Sequence, residues 1–306
     1  MYEKLFSERG LSLDRLRVLV EVHDAGSIAL AAPGDPIRQS QYSRQLRELA
    51  EFFGCEVARR QGKLLKLTAQ GGILAGLARA HLRALEDFRS QCRAEGTDYT
   101  IAAGDSLLHW LVIPRLGRIS TGTPPVRFAT VSLRTNDIVQ QLMEGRVDLG
   151  VIRQDAVTPG LKSVALGEVS YVAVVPKALA ARGRAPTLKD VLGKLPLASQ
   201  TADGQFTQRL RDIALQLKVE FQPALACQSF PQTVSAVRSG HFAAILPVLA
   251  LVELVPGSFD LVESVELKRL TRKLVLAWNP RLADVRQGAP RLIQQLRAEL
   301  KIANHA

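Results

Sequence analysis

The most constraining feature of the sequence is a change of period near residue 95. Before it, apolar residues recur at steps of three and four, the spacing of amphipathic helices. After it, short β-rich runs alternate with helical stretches, the pattern of a parallel sheet with helices on its faces. Arg93-Ala94-Glu95-Gly96-Thr97-Asp98 is a polar, glycine-containing joint between the two regimes. A chain of 306 residues has room for two such units.

In the first unit, Leu13, Leu16, Leu19 and Val20 predict a helix over about 12–24. Gly26 ends it, and Ser27 caps a short helix from Ile28 to Ala32. Pro33-Gly34-Asp35-Pro36 then breaks the chain. From Gln39 the pattern resumes, with Tyr42, Leu46, Leu49, Ala50 and Phe53 on one apolar face and Gly54 as the stop. Ser40, Gln41, Arg44 and Arg47 project away from that face. Two short apolar runs around Cys55–Ala58 and Leu64–Leu67, joined by Arg59-Arg60-Gln61-Gly62-Lys63, predict a small basic hairpin.

Helix, tight turn, second helix with polar and cationic residues outward, then a basic hairpin is the order of a winged helix-turn-helix. A helix fits the DNA major groove, where Gln and Arg pair with base edges while hydroxyls and cations hold phosphates. The formal charge of +11 suits an anionic partner. Between residues 38 and 66 the cations Arg38, Arg44, Arg47, Arg59, Arg60, Lys63 and Lys66 outnumber Glu48, Glu51 and Glu56, which makes the surface locally basic. Most of the excess charge lies beyond residue 95, where a solvated face accounts for it.

Thr68 caps a long helix, about Ala69 to Arg93. Leu74, Leu77, His81, Leu85, Phe88 and Cys92 alternate at steps of three and four like a coiled-coil seam, so a dimer contact is expected along it. The alternative is packing within its own domain. Beyond the joint, strands are expected at Tyr99–Ala103, Val126–Leu133, Val147–Ile152, Glu168–Val175, Pro196–Ser199, Phe221–Cys227, Ala243–Leu246 and Thr271–Trp278, with helices between them.

The run from Leu13 through Gly72 resembles the N-terminal domain of the LysR-type transcriptional regulators. The resemblance rests on Leu16 and Val20, Ala25-Gly26-Ser27, Ala31-Ala32, Gln39, Ser43-Arg44-Gln45-Leu46, Leu49, Phe53-Gly54, Arg59-Arg60 and Leu67-Thr68-Ala69 before Gly71. The sequence departs from that family at Pro33–Pro36, at Ser40 where proline is common, and at Tyr42 where leucine is. The remainder resembles the family's two-lobed effector domain, which is similar to periplasmic solute-binding proteins.

The expected fold is therefore α/β overall: an N-terminal winged helix-turn-helix at 1–68, a linker (dimerisation) helix at 69–95 and a two-lobed α/β effector-binding domain at 96–306. Lobe I is expected at about 99–165 and 267–306, and lobe II at about 166–266. The resemblance implies a transcriptional regulator binding double-stranded DNA through Gln39, Ser40, Gln41, Ser43, Arg44, Arg47, Arg59, Arg60 and Lys63. It further implies an unidentified small-molecule effector, a homodimer that associates into a tetramer, and RNA polymerase as a contact. Other readings of the sequence are a solute-binding receptor-like protein or an architectural DNA-binding protein without effector control.

Ligands of open α/β sheets bind beyond the carboxyl ends of strands. Gly104-Asp105-Ser106, Ser199–Gly204 and Ser229–Thr233 each end a strand and open a helix. The effector is accordingly expected among Asp105, Ser106, Thr201, Phe230 and Thr233, although capping of the helices explains any one hydroxyl. Asp105 argues against a simple dianion. Two like charges about 5 Å apart at an effective dielectric near 20 repel by roughly 3 kcal/mol. Asp105 capping its helix would instead leave Arg134 or Arg153 to hold an anion.

Catalytic and metal motifs are absent: there is no HExxH, GxSxG or P-loop, and a single glycine follows the first strand of the α/β part. His23, His81, His109, His241 and His305 are scattered, and His109 reads as a packed helix residue. No enzyme activity, metal or cofactor is expected. Cys55, Cys92 and Cys227 lie too far apart in sequence for a disulfide framework or zinc ribbon, and Cys227 reads as core. No apolar run of membrane-spanning length and no signal-peptide core occur, so a cytoplasmic protein is expected.

Overall fold

The computed structural model describes residues 2–62, 64–120, 125–180, 184–201 and 204–302. After a single helical turn at Glu3–Phe6, the first helix of the helix-turn-helix spans Leu13–Ala25, with Ser12 Oγ accepting from the Arg15 N–H. Gly26 ends it in the left-handed region, and Ser27 caps the turn Ile28–Ala31. The next helix, Pro36–Phe53, begins three residues before Gln39. Asp35 Oδ1 accepts from the Arg38 N–H at 2.9 Å, and Pro36 fills a position that needs no N–H donor. The breaker cluster is thus a turn and a cap, and it launches the helix rather than interrupting it.

Val18, Leu19 and Val22 pack on Tyr42, Leu46 and Leu49 to form the core of this unit. Burial raises the Tyr42 phenol, and its hydrogen bond to Glu21 raises it further. The same hydroxyl accepts from Arg38 Nε at 2.8 Å. Tyr42 therefore replaces a simple apolar contact with a polar tie between two helices. Strands β1 (Ala58–Gln61) and β2 (Leu64–Leu67) form the antiparallel hairpin.

The long helix Ala69–Cys92 follows, with Thr68 Oγ1 accepting from the Gly71 N–H at 3.0 Å. A Cβ at Gly71 would meet the Val57 carbonyl oxygen at 2.0 Å, so the glycine lets the helix lie directly on the hairpin backbone. Leu74 packs into the helix-turn-helix core, whereas Ile73, Leu77, Leu85 and Phe88 are exposed. The apolar stripe that remains uncovered in one chain therefore starts from Ile73, not Leu74.

Beyond the joint, β3 (Thr97–Ala103), β4 (Val126–Ser132), β5 (Leu149–Arg153), β6 (Lys162–Val169) and β12 (Arg272–Trp278) form one five-stranded sheet in the order β4-β3-β5-β12-β6. Strands β4 and β5 run parallel to β3, and β12 runs antiparallel to β5 and β6. This is lobe I. Lobe II holds β7 (Tyr171–Pro176), β10 (Ala244–Pro247) and β11 (Phe259–Val262) in one antiparallel sheet. The parallel pair β8 (Ala198–Gln200) and β9 (Leu225–Cys227) lies beside it.

The single strand expected over Glu168–Val175 is two strands broken at Ser170, where the chain crosses between lobes. The crossings therefore fall at Ser170 and Thr271, rather than at 165/166 and 266/267. Lys162–Val169 escapes the sequence pattern because it is a sheet edge largely open to solvent, where charged residues and a glycine interrupt the apolar ones. Leu267 and Leu270 belong to the core of lobe II.

Trp110 and Arg286 are among the residues that fasten the lobes and units. Trp110, from lobe I, is buried in the lobe II cluster of Val172, Phe230 and Val234, and its Nε1 donates to Glu253 at 2.7 Å. His109 is exposed rather than packed, and its Nε2 lies 2.6 Å from the same Glu253 oxygen. Arg286 is buried between lobe I and the long helix. Its guanidinium donates to both Asp87 oxygens, to Asp148 Oδ1 at 3.0 Å and to the Asp98 carbonyl at 2.6 Å. It also stacks 4.0 Å from the centroid of Tyr99, whose phenol burial pushes up to about 12.

Removing a partner from a buried ion pair leaves an uncompensated charge. Arg286→Ala strands Asp87 and takes one of two arginines from Asp148, and the expected loss is about 3–5 kcal/mol, read by urea unfolding. An unchanged midpoint would contradict this account. A second prediction concerns Asp24. Burial pushes its carboxyl up, but the His23 hydrogen bond and the charges of Arg79 and Arg146 outweigh burial and hold it below the usual range. Its contribution is complete above the unfolded carboxyl value near pH ~4 and fades as pH falls through the lower folded value. The stability difference between wild type and Asp24→Asn should be present at neutral pH and vanish in strong acid.

Candidate functional site

Two regions hold the side chains that the sequence singles out, one in the helix-turn-helix unit and one in a cleft between the lobes. In the first, the helix Pro36–Phe53 turns Ser40, Gln41, Arg44 and Arg47 to solvent, and Ser43 is half-buried beside them. Gln39 has a different task, because its Nε2 donates to the Ala32 carbonyl at 2.8 Å and ties the helix to the preceding turn. Arg44 Nε lies 3.8 Å from Glu48 one turn on, a loose surface pair that leaves most of the guanidinium exposed. Arg59 and Arg60 are exposed on β1, with Gly62 in the left-handed region at the hairpin turn. Lys63 lies outside the described residues.

The second region is a cleft of about 610 Å³ between the lobes. Asp105, Ser106, Thr201 and Phe230 line it. Thr233 does not: it is buried, and its hydroxyl donates to the Ser229 carbonyl at 3.0 Å inside its own helix. That helix, Phe230–Arg238, is capped by Ser229, whose Oγ accepts from the Gln232 N–H. Ala202 and Asp203, in the middle of the second ligand loop, lie outside the described residues. Asp105 sits in the first turn of its helix without capping it by a side-chain bond.

The cleft also contains residues that the strand-end argument overlooked or left as alternatives. Arg134, Arg153 and Arg272 line it, as do Gln200, Gln205 and Phe206. Arg153 ends β5 in lobe I, and its Nη1 donates to Gln205 Oε1 at the start of the lobe II helix Gln205–Gln216. Arg272 opens β12 beside the crossing, in register with Val169. Burial lowers Arg272 from the ordinary guanidinium value, and the charges of Arg209 and Arg153 lower it further. Tyr171, Phe206 and Phe230 form an aromatic group with ring centroids 5.0–5.9 Å apart.

No group of three or more metal-ligating side chains occurs among the described residues. No helix among the described residues is long and apolar enough to cross a membrane.

Comparison with known proteins places both regions. Residues 13–72 match the family described as "Bacterial regulatory helix-turn-helix protein, lysR family", and residues 93–301 match "LysR substrate binding domain". A probable nitrogen assimilation transcriptional activator of Synechococcus elongatus is 25% identical over 279 residues, covering 87% of this chain and 88% of that one. Full-length OxyR from Pseudomonas aeruginosa has a similar fold, with a TM-score of 0.67 at 17% identity over 97% of both chains. So has LysG from Corynebacterium glutamicum with its effector arginine bound, at a TM-score of 0.64 and 18% identity over 95% of this chain and 100% of that one. The chain belongs to the LysR family of transcriptional regulators, with an amino-terminal helix-turn-helix DNA-binding domain and a carboxy-terminal substrate-binding domain.

Proposed function

We propose that this regulator reads DNA with Ser40, Gln41, Ser43, Arg44 and Arg47 and holds the backbone with Arg59 and Arg60. The observation that carries this reading is the outward row on the helix Pro36–Phe53, with the basic hairpin beside it. Gln39 serves the same interface indirectly, by fixing the turn. The polar row has the donors and acceptors for base edges, and the hairpin cations suit phosphates.

The exposed side of the helix Ala69–Cys92 supports a second part of the proposal, a homodimer. Ile73, Leu77, Leu85 and Phe88 are apolar and uncovered, and His81 and Cys92 lie exposed on the same seam. A second copy would bury them as a coiled-coil-like contact and set two DNA-binding domains side by side. The interlobe cleft would take a small molecule; LysG, of similar fold, has the effector arginine bound. Binding would bias the placement of the DNA-binding domains only through different affinities for two arrangements. The protein acts as a regulator and not as an enzyme, in the cytoplasm where its DNA lies.

Arg44→Ala should weaken binding to a specific site by about 1–3 kcal/mol while leaving scrambled duplex nearly unaffected. Arg60→Ala should weaken both about equally and reduce the salt dependence by roughly one unit of log–log slope. Fluorescence anisotropy on the two duplexes at two salt concentrations measures this. Unchanged binding in both variants would remove the assigned interface.

A further inference from the structure

We propose that the cleft takes an anionic small molecule, its acid group seated between Arg272 and Arg153 and its apolar body against Phe206 and Phe230. This rests on the reading of the cleft as the effector site and adds the chemical class of the ligand.

Among the described residues that line the cleft, three guanidinium groups, Arg134, Arg153 and Arg272, stand against one carboxylate, Asp105. Asp105 is exposed to solvent, where water screens its repulsion. The charge balance of this lining, rather than Asp105 alone, decides which ligand charge is favoured. An isolated Asp105 would disfavour an anion, and a surrounding excess of arginines reverses that.

Arg272 is half-buried, its surroundings already disfavour its charge, and Arg209 and Arg153 add repulsion. Asp155 is the acid that acts on it, and that carboxylate is also paired with Arg153 at 3.3 Å. Tyr171 supplies a neutral hydroxyl. A cluster of cations gathered in a partly desolvated floor is stabilised by an anion, which relieves the mutual repulsion and replaces lost hydration.

The cleft also holds an unused donor: Gln200 lines it, and the buried Nε2 of Gln200 has no hydrogen-bond partner. Buried donors are normally satisfied, so this one calls for an acceptor such as a carboxylate oxygen. Phe206 and Phe230 then offer apolar ring surface to the rest of the molecule.

Position gives the acid group leverage. Arg153 lies at the end of lobe I strand β5 and already reaches Gln205 of lobe II. Arg272 begins the strand that crosses back into lobe I. An anion held by both would sit on the hinge between lobes.

The test uses the full chain in thermal-shift and calorimetric titrations at matched ionic strength set with sodium chloride. The probes are benzoate and succinate, their uncharged counterparts benzamide and succinamide, and benzylamine. Saturable stabilisation by a carboxylate is expected, weakened at least tenfold in Arg272→Gln. The unliganded Arg272→Gln protein should melt no lower than wild type, because a like charge is gone. Should that variant fail to fold, Arg153→Gln carries the same expectation. Binding of benzylamine or an amide in place of the carboxylates would overturn the anionic class, as would carboxylate binding that both substitutions leave unchanged, or no binding by any probe. Ser132→Trp, which fills the cleft from an exposed position, separates the two levels. Carboxylate binding that survives it would overturn the cleft reading itself. Amine binding that it abolishes would keep the cleft and discard the anion.

Discussion

The arrangement of this molecule depends on one buried guanidinium. Arg286 comes from the short helix Pro280–Val285 after the last strand and reaches the long helix at Asp87, the start of β5 at Asp148 and β3 through the Asp98 carbonyl. Asp148 in turn accepts from Arg83 of the long helix at 2.7 Å and from the Thr100 N–H at 2.8 Å. Each member is satisfied by another, which is the condition for burying charge without a large penalty. The residues come from positions 83 to 286 in the sequence, so the node can form only when lobe I is complete and the long helix lies on it.

A second polar junction extends the same logic to the DNA-binding unit. Asp24, at the end of the first helix, pairs with Arg79 of the long helix and with Arg146 of lobe I. Arg146 also donates to the His23 carbonyl at 2.7 Å, and Arg79 to the Glu144 carbonyl. Both junctions are ionic and hydrogen-bonded rather than greasy. Polar contacts of this kind fix orientation, because they are lost over small displacements, whereas apolar packing tolerates sliding.

Much of this was legible in the sequence, for identifiable reasons. The change of period at the joint, the Tyr42/Leu46/Leu49 face and the basic hairpin are local patterns, and local patterns survive folding. The start of the helix Pro36–Phe53 was also written locally, in Asp35-Pro36, where a capping carboxylate precedes a proline suited to the first helical turn. A reading that treats proline only as a breaker misses it. The cleft was half legible. Loops after strands signal Ser106 and Thr201, but Thr233 shares that signature while pointing into its own helix. Arg272 carries no such signal, since it begins a strand instead of ending one. Its place is set by the crossing at Thr271, a consequence of sheet order β5-β12-β6 that no single window contains.

Strand β5 joins the cleft to the long helix. Its amino end follows Asp148, inside the Arg286 node and against the long helix. Its carboxyl end is Arg153, in the cleft and bonded to lobe II. At about 3.3 Å per residue, a strand of this kind is a short, stiff rod, buried here along most of its length. Of the residues just before it, Arg146 contacts the DNA-binding unit at the His23 carbonyl, and Glu144 contacts the long helix at Arg79. Any change in lobe closure that moves Arg153 therefore acts on an element whose other end is clamped to the long helix. The clamp has discrete partners and cannot deform continuously, so a shift must either be absorbed at the crossings, Ser170 and Thr271, or exchange one set of ionic partners for another.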